Sequence, residues 1–340
     1  MNEPTLRRSP RRITTLVAAV ATVAALGSAL ASRPAAAQPA DWPNRPIKIV
    51  VGYPAGGSAD VTTRLFAEPL SRALGQAVVV ENRSGAGGTL GVQAVLRSEP
   101  DGYTLYGAAI SEISLAPATV ANLPYDPVKD LEPVMVLTRS PYILVGAPTF
   151  PPSTLKELVD YTKAHPGTVS YSSFGANTLT HLAGERFKLA VGINALHVPY
   201  RGSSASLADL MGGQVQFTFD SPAVTLNLIN AGKLKGIAVV SKTRLEGAPS
   251  IPTFAEAGYP DFSVTSWIGM LAPAKTPKPI IDRLNKELNT ILQSDEIKSA
   301  LARSNIQPGG GTPDEFRRQI QTEIAEWKDL APKIGIEPTR

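Results

Sequence analysis

Short apolar runs alternate with helical periods along most of this chain, and this alternation constrains its fold more than any other feature. Ile47–Val51 has the β-branched composition of a buried strand, and residues 58–74 carry apolar side chains at helical spacing that stops at Gly75. The next elements are predicted in the order strand, helix, strand, over 77–80, 91–97 and 103–109. This order favours a parallel sheet with helices on both faces.

The same alternation begins again at a capping box, Thr154-x-x-Glu157, which predicts the start of a helix. Alternating strands and helices are then predicted over 169–173, 178–189, 195–200, 207–211, 215–219, 222–231 and 234–240. A strand over 264–272 and helices over 279–293, 295–304 and 313–330 are too few for a third domain. The sequence therefore predicts an α/β protein of two lobes, 45–140 plus 263–340 and 141–262, joined by two crossing segments. Each lobe is expected to hold a mostly parallel sheet with flanking helices.

The first 37 residues have the pattern of a secretory signal peptide. Arginines over 7–12 precede an apolar stretch from Ile13 to about Ala31, and Ala35-Ala36-Ala37 forms a small-residue cleavage site. Cleavage after Ala31 also fits the rule, and Arg11-Arg12 leaves the twin-arginine export route open. A membrane anchor is the competing interpretation, since the stretch nearly reaches the ~20 residues of a span. Signal cleavage is the interpretation we adopt, which places the mature chain in the periplasm.

Composition excludes several classes of protein. The chain has no cysteine, which excludes disulfides, thiolate nucleophiles and cysteine-bound metals, and it has only three histidines. Five of the 33 basic residues lie in the leader against one acid, so 28 basic and 28 acidic residues remain. A nucleic-acid-binding protein normally keeps a basic face in its folded part, so we expect no nucleic-acid partner. We also expect no catalytic residues, no metal ligands and no cofactor, because the common hydrolase and metalloprotease motifs are missing.

Four turns rich in glycine and hydroxyl groups lie where a strand leads into a helix. They cover residues 53–60, 84–89, 172–178 and 200–205. Turns of this kind lie at the carboxyl ends of strands, where open α/β sheets bind ligands, and they present backbone N–H groups at helix N-termini. Such ends hold a carboxylate or phosphate without a formal positive charge. Any one turn taken alone is equally typical of an ordinary capped connection.

Several longer motifs resemble one family in order and spacing. They include Pro54-Ala55-Gly56-Gly57-Ser58-Ala59-Asp60, Glu81-Asn82-Arg83-Ser84-Gly85-Ala86-Gly87-Gly88, Pro199-Tyr200-Arg201-Gly202 and Asp209-Leu210-Met211-Gly212-Gly213-Gln214. From about Trp42 to the C-terminus the chain resembles the Bug receptors, the extracytoplasmic solute-binding subunits of tripartite tricarboxylate transporters. The resemblance implies a two-lobed, type II-like periplasmic binding protein that is not an enzyme. It implies a small organic acid as ligand, membrane permease subunits as partners, and a monomer.

The resemblance also implies which residues face the ligand. In the first lobe these are Tyr53, Ala55, Gly57, Ser58, Asp60, Ala86, Gly87, Gly88 and Thr89. In the second lobe they are Ser173, Thr178, His181, Tyr200, Gly202, Ser203, Ala205 and Asp220. A dicarboxylate, a tricarboxylate, an amino acid and an aromatic acid all remain open as the solute. A ligand-binding partner of a membrane sensor kinase is the alternative function.

Overall fold

The computed structural model describes residues 42–333 and 335–338, and its strands form two separate sheets. The predicted signal peptide lies outside the described residues. The first sheet contains β1 (Ile47–Val51), β2 (Val78–Asn82), β3 (Thr104–Ala109), β4 (Leu131–Pro141), β10 (Thr265–Pro273) and β11 (Gln307–Gly310). The second contains β5 (Ile143–Gly146), β6 (Ser170–Ser173), β7 (Leu196–Pro199), β8 (Phe217–Asp220) and β9 (Lys235–Val239). All of these strands belong to one unit that begins at Pro43.

Helices flank both sheets. Those that accompany the first sheet are α1 (Ser58–Leu74), α2 (Thr89–Leu96), α3 (Ala116–Thr119), α8 (Lys278–Leu292), α9 (Asp295–Arg303) and α10 (Pro313–Lys333). Those that accompany the second are α4 (Leu155–Ala164), α5 (Leu179–Val191), α6 (Ser203–Met211) and α7 (Pro222–Asn230). The predicted end of α1 is confirmed, since Gly75 adopts the left-handed conformation that closes a helix. None of these helices is both long and apolar enough to cross a membrane.

Each sheet is mixed rather than mostly parallel. β1 pairs in parallel with β2 and β3, and β6 pairs in parallel with β7 and β8. The strands that enter a sheet from a crossing between the lobes run in the opposite direction: β10 is antiparallel to β3 and β4, and β5 is antiparallel to β8 and β9. The reversal follows from the topology, because a chain that leaves one sheet and later returns to it enters from the opposite end.

The first crossing between the lobes is short. β4 continues through Arg139-Ser140-Pro141, paired with β10, and only Tyr142 separates it from β5. The core of the second lobe contains an aromatic cluster. The ring centroid of Phe187 lies 5.8–6.2 Å from the ring centroids of Phe217, Phe219, Phe254 and Phe262. Burying each such ring stabilises the fold by about 2–3 kcal/mol.

Candidate functional site

The four glycine-rich turns meet in one crevice between the lobes. A Cβ atom added to Gly57 in the first turn would lie 3.6 Å from the Cβ atom of Ser203 in the fourth. A Cβ atom added to Gly87 in the second turn would lie 3.4 Å from Cγ2 of Thr178 in the third. The turns therefore face each other in two pairs across the crevice, the first with the fourth and the second with the third.

Two hydrogen bonds also join the lobes beside this crevice. The side-chain amide of Asn177 donates to the carbonyl oxygen of Thr119 at 3.0 Å. The backbone N–H of Leu179, the first residue of α5, donates to Oγ of Ser111 at 3.1 Å. These contacts hold the lobes in a closed arrangement, and the second already places a helix N-terminus against a hydroxyl oxygen of the opposite lobe.

The helices that begin at the crevice share a second property: in none of them does the side chain of the N-cap residue accept a hydrogen bond from the helix start. Their N-cap residues are Gly57 for α1, Gly88 for α2, Thr178 for α5 and Gly202 for α6. In contrast, α4, α7 and α9 are capped by the side chains of Thr154, Ser221 and Ser294. Glycine, which has no side chain to serve as a cap, takes three of the four N-cap positions at the crevice. Amides left without a side-chain acceptor at a helix start are donors for an anion.

A small cavity of about 20 Å³ lies at the centre of the crevice. Its lining comes from both lobes and from Tyr142 between β4 and β5: Tyr53, Gly57, Ser58, Ala59, Ala109, Ser111, Tyr142, Phe174, Ser203, Ser266 and Ile268. All of these residues are uncharged, and six of them carry hydroxyl groups besides the backbone amides of the turns. The arrangement suits a ligand that is bound by neutral donors and by apolar side chains such as Phe174 and Ile268.

Behind the wall of the first lobe lies a buried carboxyl group, Glu112. It accepts hydrogen bonds from the hydroxyl groups of Tyr53 at 3.0 Å and Tyr106 at 2.9 Å, and from the N–H of Ala109 at 2.6 Å. Burial raises the pKa of Glu112 to about 7, although these three donors favour its ionised form. Burial likewise raises the pKa of Tyr53, with the nearby Glu112 adding to the effect. Tyr53 thus shares its single hydroxyl proton between Glu112 and the carbonyl oxygen of Gly87, 2.9 Å away.

The second lobe repeats this arrangement with Asp220, the last residue of β8. Its Oδ2 atom accepts a hydrogen bond of 2.5 Å from Oγ of Ser203, and its Oδ1 atom accepts from the N–H of Ser221 at 2.7 Å. The side chain is completely buried, and burial raises the pKa of Asp220 to about 7. Ser203 therefore stands between this carboxyl group and the cavity.

Asp60 organises the first turn and does not line the cavity. Its carboxylate accepts hydrogen bonds of 2.9 Å each from the N–H of Gly56, from Nε of Arg64 and from Nδ2 of Asn82. Asn82 in turn donates to the carbonyl oxygen of Tyr53. The buried carboxylate thus fixes the turn at the carboxyl end of β1 against the neighbouring strand.

The third turn is organised by a pair of stacked histidines. His181 and His197 lie with ring centroids 4.1 Å apart, and Nε2 of His197 is 2.7 Å from Oγ of Ser173. Nδ1 of His181 accepts from the N–H of Asn177 at 3.1 Å. Burial, and secondly the proximity of His181, lower the pKa of His197 to about 4, and burial also lowers the pKa of His181. Both rings are therefore neutral at pH 7, and they support the turn from behind.

The remaining predicted residues fall into two groups. Thr89, Thr178 and Gly202 are buried at the helix starts around the crevice, and Gly87 and Gly88 have φ values of 62° and 98° that favour glycine. Ala55, Ala86 and Ala205 are exposed. Tyr200 is half-buried, and its hydroxyl group donates a hydrogen bond to Asp209 at 2.6 Å. Burial, and secondly this hydrogen bond, raise the pKa of Tyr200 to about 12. The structure brings Gly57 and Ser203 into the cavity wall, places Gly87, Gly88 and Gly202 around the crevice, and leaves the three alanines at its surface.

Sequence reasoning missed Ser111, Glu112, Tyr142 and Ser266. Ser111 and Glu112 lie in a π-helical turn, Ser111–Leu115, and both are buried. A single acidic residue within the apolar run from Tyr103 to Ala116 was the available signal, because an isolated acid in such a run needs buried partners.

Comparison with known proteins identifies this architecture. Residues 62–336 match the model of the tripartite tricarboxylate transporter family receptor. The chain belongs to this family. It is 36% identical over 295 residues to protein BugT of Bordetella pertussis, covering 86% of this chain and 90% of BugT. Two-lobed periplasmic binding proteins of known structure share the receptor's fold.

Two solved relatives of the receptor were determined with carboxylates. R. palustris Rpa4515 with adipate is 33% identical, with a TM-score of 0.85 over 88% of this chain and all of the other. MatC (Rpa3494) from Rhodopseudomonas palustris with bound malate is 30% identical, with a TM-score of 0.81 over 85% and 99% of the two chains. The receptor thus belongs to a family of solute-binding proteins with carboxylate ligands. Within its described residues, no group of three or more histidine, aspartate or glutamate side chains is placed to hold a metal ion.

Proposed function

We propose that this receptor captures a small organic acid between its lobes and delivers it to the membrane permease subunits of a tripartite transporter. The observation that carries the proposal is an uncharged cavity lined by the starts of α1 and α6, two helices whose N-cap residues are glycines without a capping side chain. Their amides can hold a carboxylate by hydrogen bonds and helix dipoles alone. The adipate and malate bound by two relatives support the same ligand class.

In this proposal one ligand carboxylate lies between the start of α1 and the start of α6. The amides that follow Gly57 and Gly202 are its donors, and the hydroxyl groups of Ser58 and Ser203 are within the same wall. Tyr142, between β4 and β5, and Ile268, in β10, line the same cavity and contact the carbon chain of the ligand in this proposal. The other residues inferred from the family resemblance act around this centre or support it.

Binding requires the lobes to open further than in this structure. A cavity of about 20 Å³ has room for about one water molecule, so a dicarboxylate needs a wider separation. The short connections at Tyr142 and at residues 263–264 link the lobes and are the natural hinge. A ligand that bonds to amides of both lobes favours the closed state over the open one, and this difference in affinity drives closure.

Calorimetric titration of the purified protein with acetate, succinate, adipate, malate and citrate tests the ligand class. At least one acid should bind more tightly than ~1 mM, which corresponds to about −4 kcal/mol. The same titration with the matching alkyl amides is the control, since these keep the carbon chain and lose the charge. Binding of amides as tightly as acids, or binding of none of the acids, would contradict the proposal.

The proposal includes export and removal of residues 1–37, with lobes bounded at 45–140 plus 263–340 and 141–262, and a monomer. Exported protein should begin at Gln38 by N-terminal sequencing and sediment as a single chain. An N-terminus that retains Arg7–Arg12 would contradict cleavage and indicate an anchored receptor.

A further inference from the structure

Each lobe places a hydroxyl group on the cavity wall with a buried carboxyl group directly behind it. In the first lobe the pair is Tyr53 and Glu112, with 3.0 Å between the oxygen atoms. In the second lobe the pair is Ser203 and Asp220, with 2.5 Å between the oxygen atoms. Both carboxyl groups are completely buried, and both Tyr53 and Ser203 line the cavity. Two buried acids behind a site for an anion oppose ligand binding unless their charge is removed or compensated.

The two carboxyl groups differ in how well their charge is compensated. Glu112 accepts from two tyrosine hydroxyl groups and one backbone N–H. Asp220 accepts from one hydroxyl group, that of Ser203, and one backbone N–H. Within the described part of the chain, neither a hydrogen bond nor an ion pair joins Asp220 to a basic side chain. The Ser203 hydroxyl group is therefore one of the two hydrogen-bond donors that compensate the charge of Asp220.

A hydroxyl group has only one proton to give. While the Ser203 proton is directed at ionised Asp220, Ser203 offers the cavity only lone pairs, which repel a carboxylate. If Asp220 takes one proton from solvent, its own O–H can donate to Oγ of Ser203. The Ser203 proton is then free to turn towards the ligand. The result is a chain of two hydrogen bonds, from Asp220 to Ser203 and from Ser203 to the ligand carboxylate.

We propose that Asp220 determines the ligand preference of this crevice by taking up one proton when a carboxylate binds at Ser203. This inference rests on the proposed function, since it concerns the same site. It predicts that the receptor carries an acid together with one proton, and that it discriminates against the anion alone.

The surroundings of Asp220 make this uptake available near neutral pH. Burial already raises its pKa to about 7, so the group is partly ionised at pH 7 and fully ionised at pH 9. Tyr142, on the crossing into β5, is the ionisable group that interacts electrostatically with Asp220, and it interacts with Glu112 as well. The groups that face Asp220 from the neighbouring elements carry no charge: the hydroxyl group of Ser203 at the start of α6, the N–H of Ser221 before α7, and Ile143 of β5, its partner in the sheet. A ligand carboxylate near Ser203 would raise the pKa of Asp220 further.

Calorimetry with adipate tests the proposal, in two buffers that differ in their enthalpy of ionisation. At pH 9 the protein should take up about one proton per adipate bound, and at pH 5 close to none, because Asp220 is then already protonated. By linkage, the dissociation constant should rise about tenfold per pH unit above pH 8. Adipate that binds at pH 9 without proton uptake would overturn this inference and leave the proposed function intact. Absence of binding by every acid would instead refute the proposed function.

The variant D220N should abolish the proton uptake and leave adipate affinity nearly constant between pH 7 and 9. The matched control is D209N, because Asp209 lies on α6, the helix of Ser203, and also accepts from a hydroxyl group, but lies outside the cavity. Uptake should persist in D209N, and its persistence in D220N would overturn the proposal. If D220N fails to fold, carbon-13 NMR of the wild-type aspartate carboxyl groups decides. One buried aspartate should become protonated on adding adipate at pH 9, and an unchanged spectrum would overturn the proposal.

Discussion

Replacing Gly88 by alanine tests how closely the second turn is fitted to the buried carboxyl group beneath it. Gly88 has a φ of 98°, and an added Cβ atom would lie 2.9 Å from both Cδ and Oε2 of Glu112 and 3.2 Å from its Cβ atom. Glu112 cannot easily give way, because three hydrogen bonds hold its carboxyl group and it is completely buried.

The expected magnitude has two parts. Left-handed backbone strain costs about 1–2 kcal/mol for a residue with a Cβ atom. Overpacking against Glu112 costs about 1–3 kcal/mol more. Gly88→Ala should therefore lower the free energy of unfolding by about 2–5 kcal/mol.

Gly75→Ala is the matched control, since Gly75 has a φ of 68° and no atom within 4 Å of an added Cβ position. Gly75→Ala should lower the free energy of unfolding by the backbone strain alone, about 1–2 kcal/mol. Urea unfolding at pH 7 measures both variants, with equal m-values as the condition for comparing them. Equal losses in the two variants, within about 0.5 kcal/mol, would refute the fitted contact between Gly88 and Glu112.

Three further predictions follow from individual contacts. Gly202→Ala keeps an extended backbone but places a Cβ atom 2.6 Å from Cδ of Pro54 across the crevice, so adipate affinity should fall about tenfold or more while urea stability is unchanged. Asp60→Ala should lower the free energy of unfolding by about 2–4 kcal/mol, because it removes the buried acceptor of three hydrogen bonds at the first turn. Arg64→Ala should lower the free energy of unfolding by less, because Arg64 is half-exposed. The folded pKa of His197 lies below the unfolded value, so its contribution to stability is complete above about pH 6.5 and is lost as the pH falls towards 4. His197→Asn should therefore lose less stability over that range than the wild type, as measured by urea unfolding at pH 7 and 5.

Local patterns were sufficient to predict the regular elements. The strand Ile47–Val51 and the helix Ser58–Leu74 are observed with the predicted bounds. In both, the apolar periodicity and the terminating glycine act within the segment itself. In contrast, β11 (Gln307–Gly310) consists of glutamine, proline and two glycines, and it forms a strand only because it pairs with β4. The continuation of β4 through Pro141 has the same cause, since β10 supplies its partner.

The candidate site, too, was predictable from the sequence only in part. The glycine-rich turns were visible as motifs, because a helix start after a strand needs small residues wherever the turn lies. Their meeting in two facing pairs, and the buried acids Glu112 and Asp220 behind Tyr53 and Ser203, depend on how two lobes pack against each other.

The amino-acid sequence by itself determined the alternation of strands and helices, the family, and the amides offered at four helix starts, since hydrophobic periodicity and backbone conformation are local properties. Only the tertiary structure decided which of those amides share a cavity, which hydroxyl groups face it, and which carboxyl groups lie behind them. The physical reason is that burial and proximity set the charge of an acid, and both arise from residues far apart in the chain. Asp220 and Ser203 are 17 positions apart, and Tyr53 and Glu112 are 59 apart, yet each pair shares one proton.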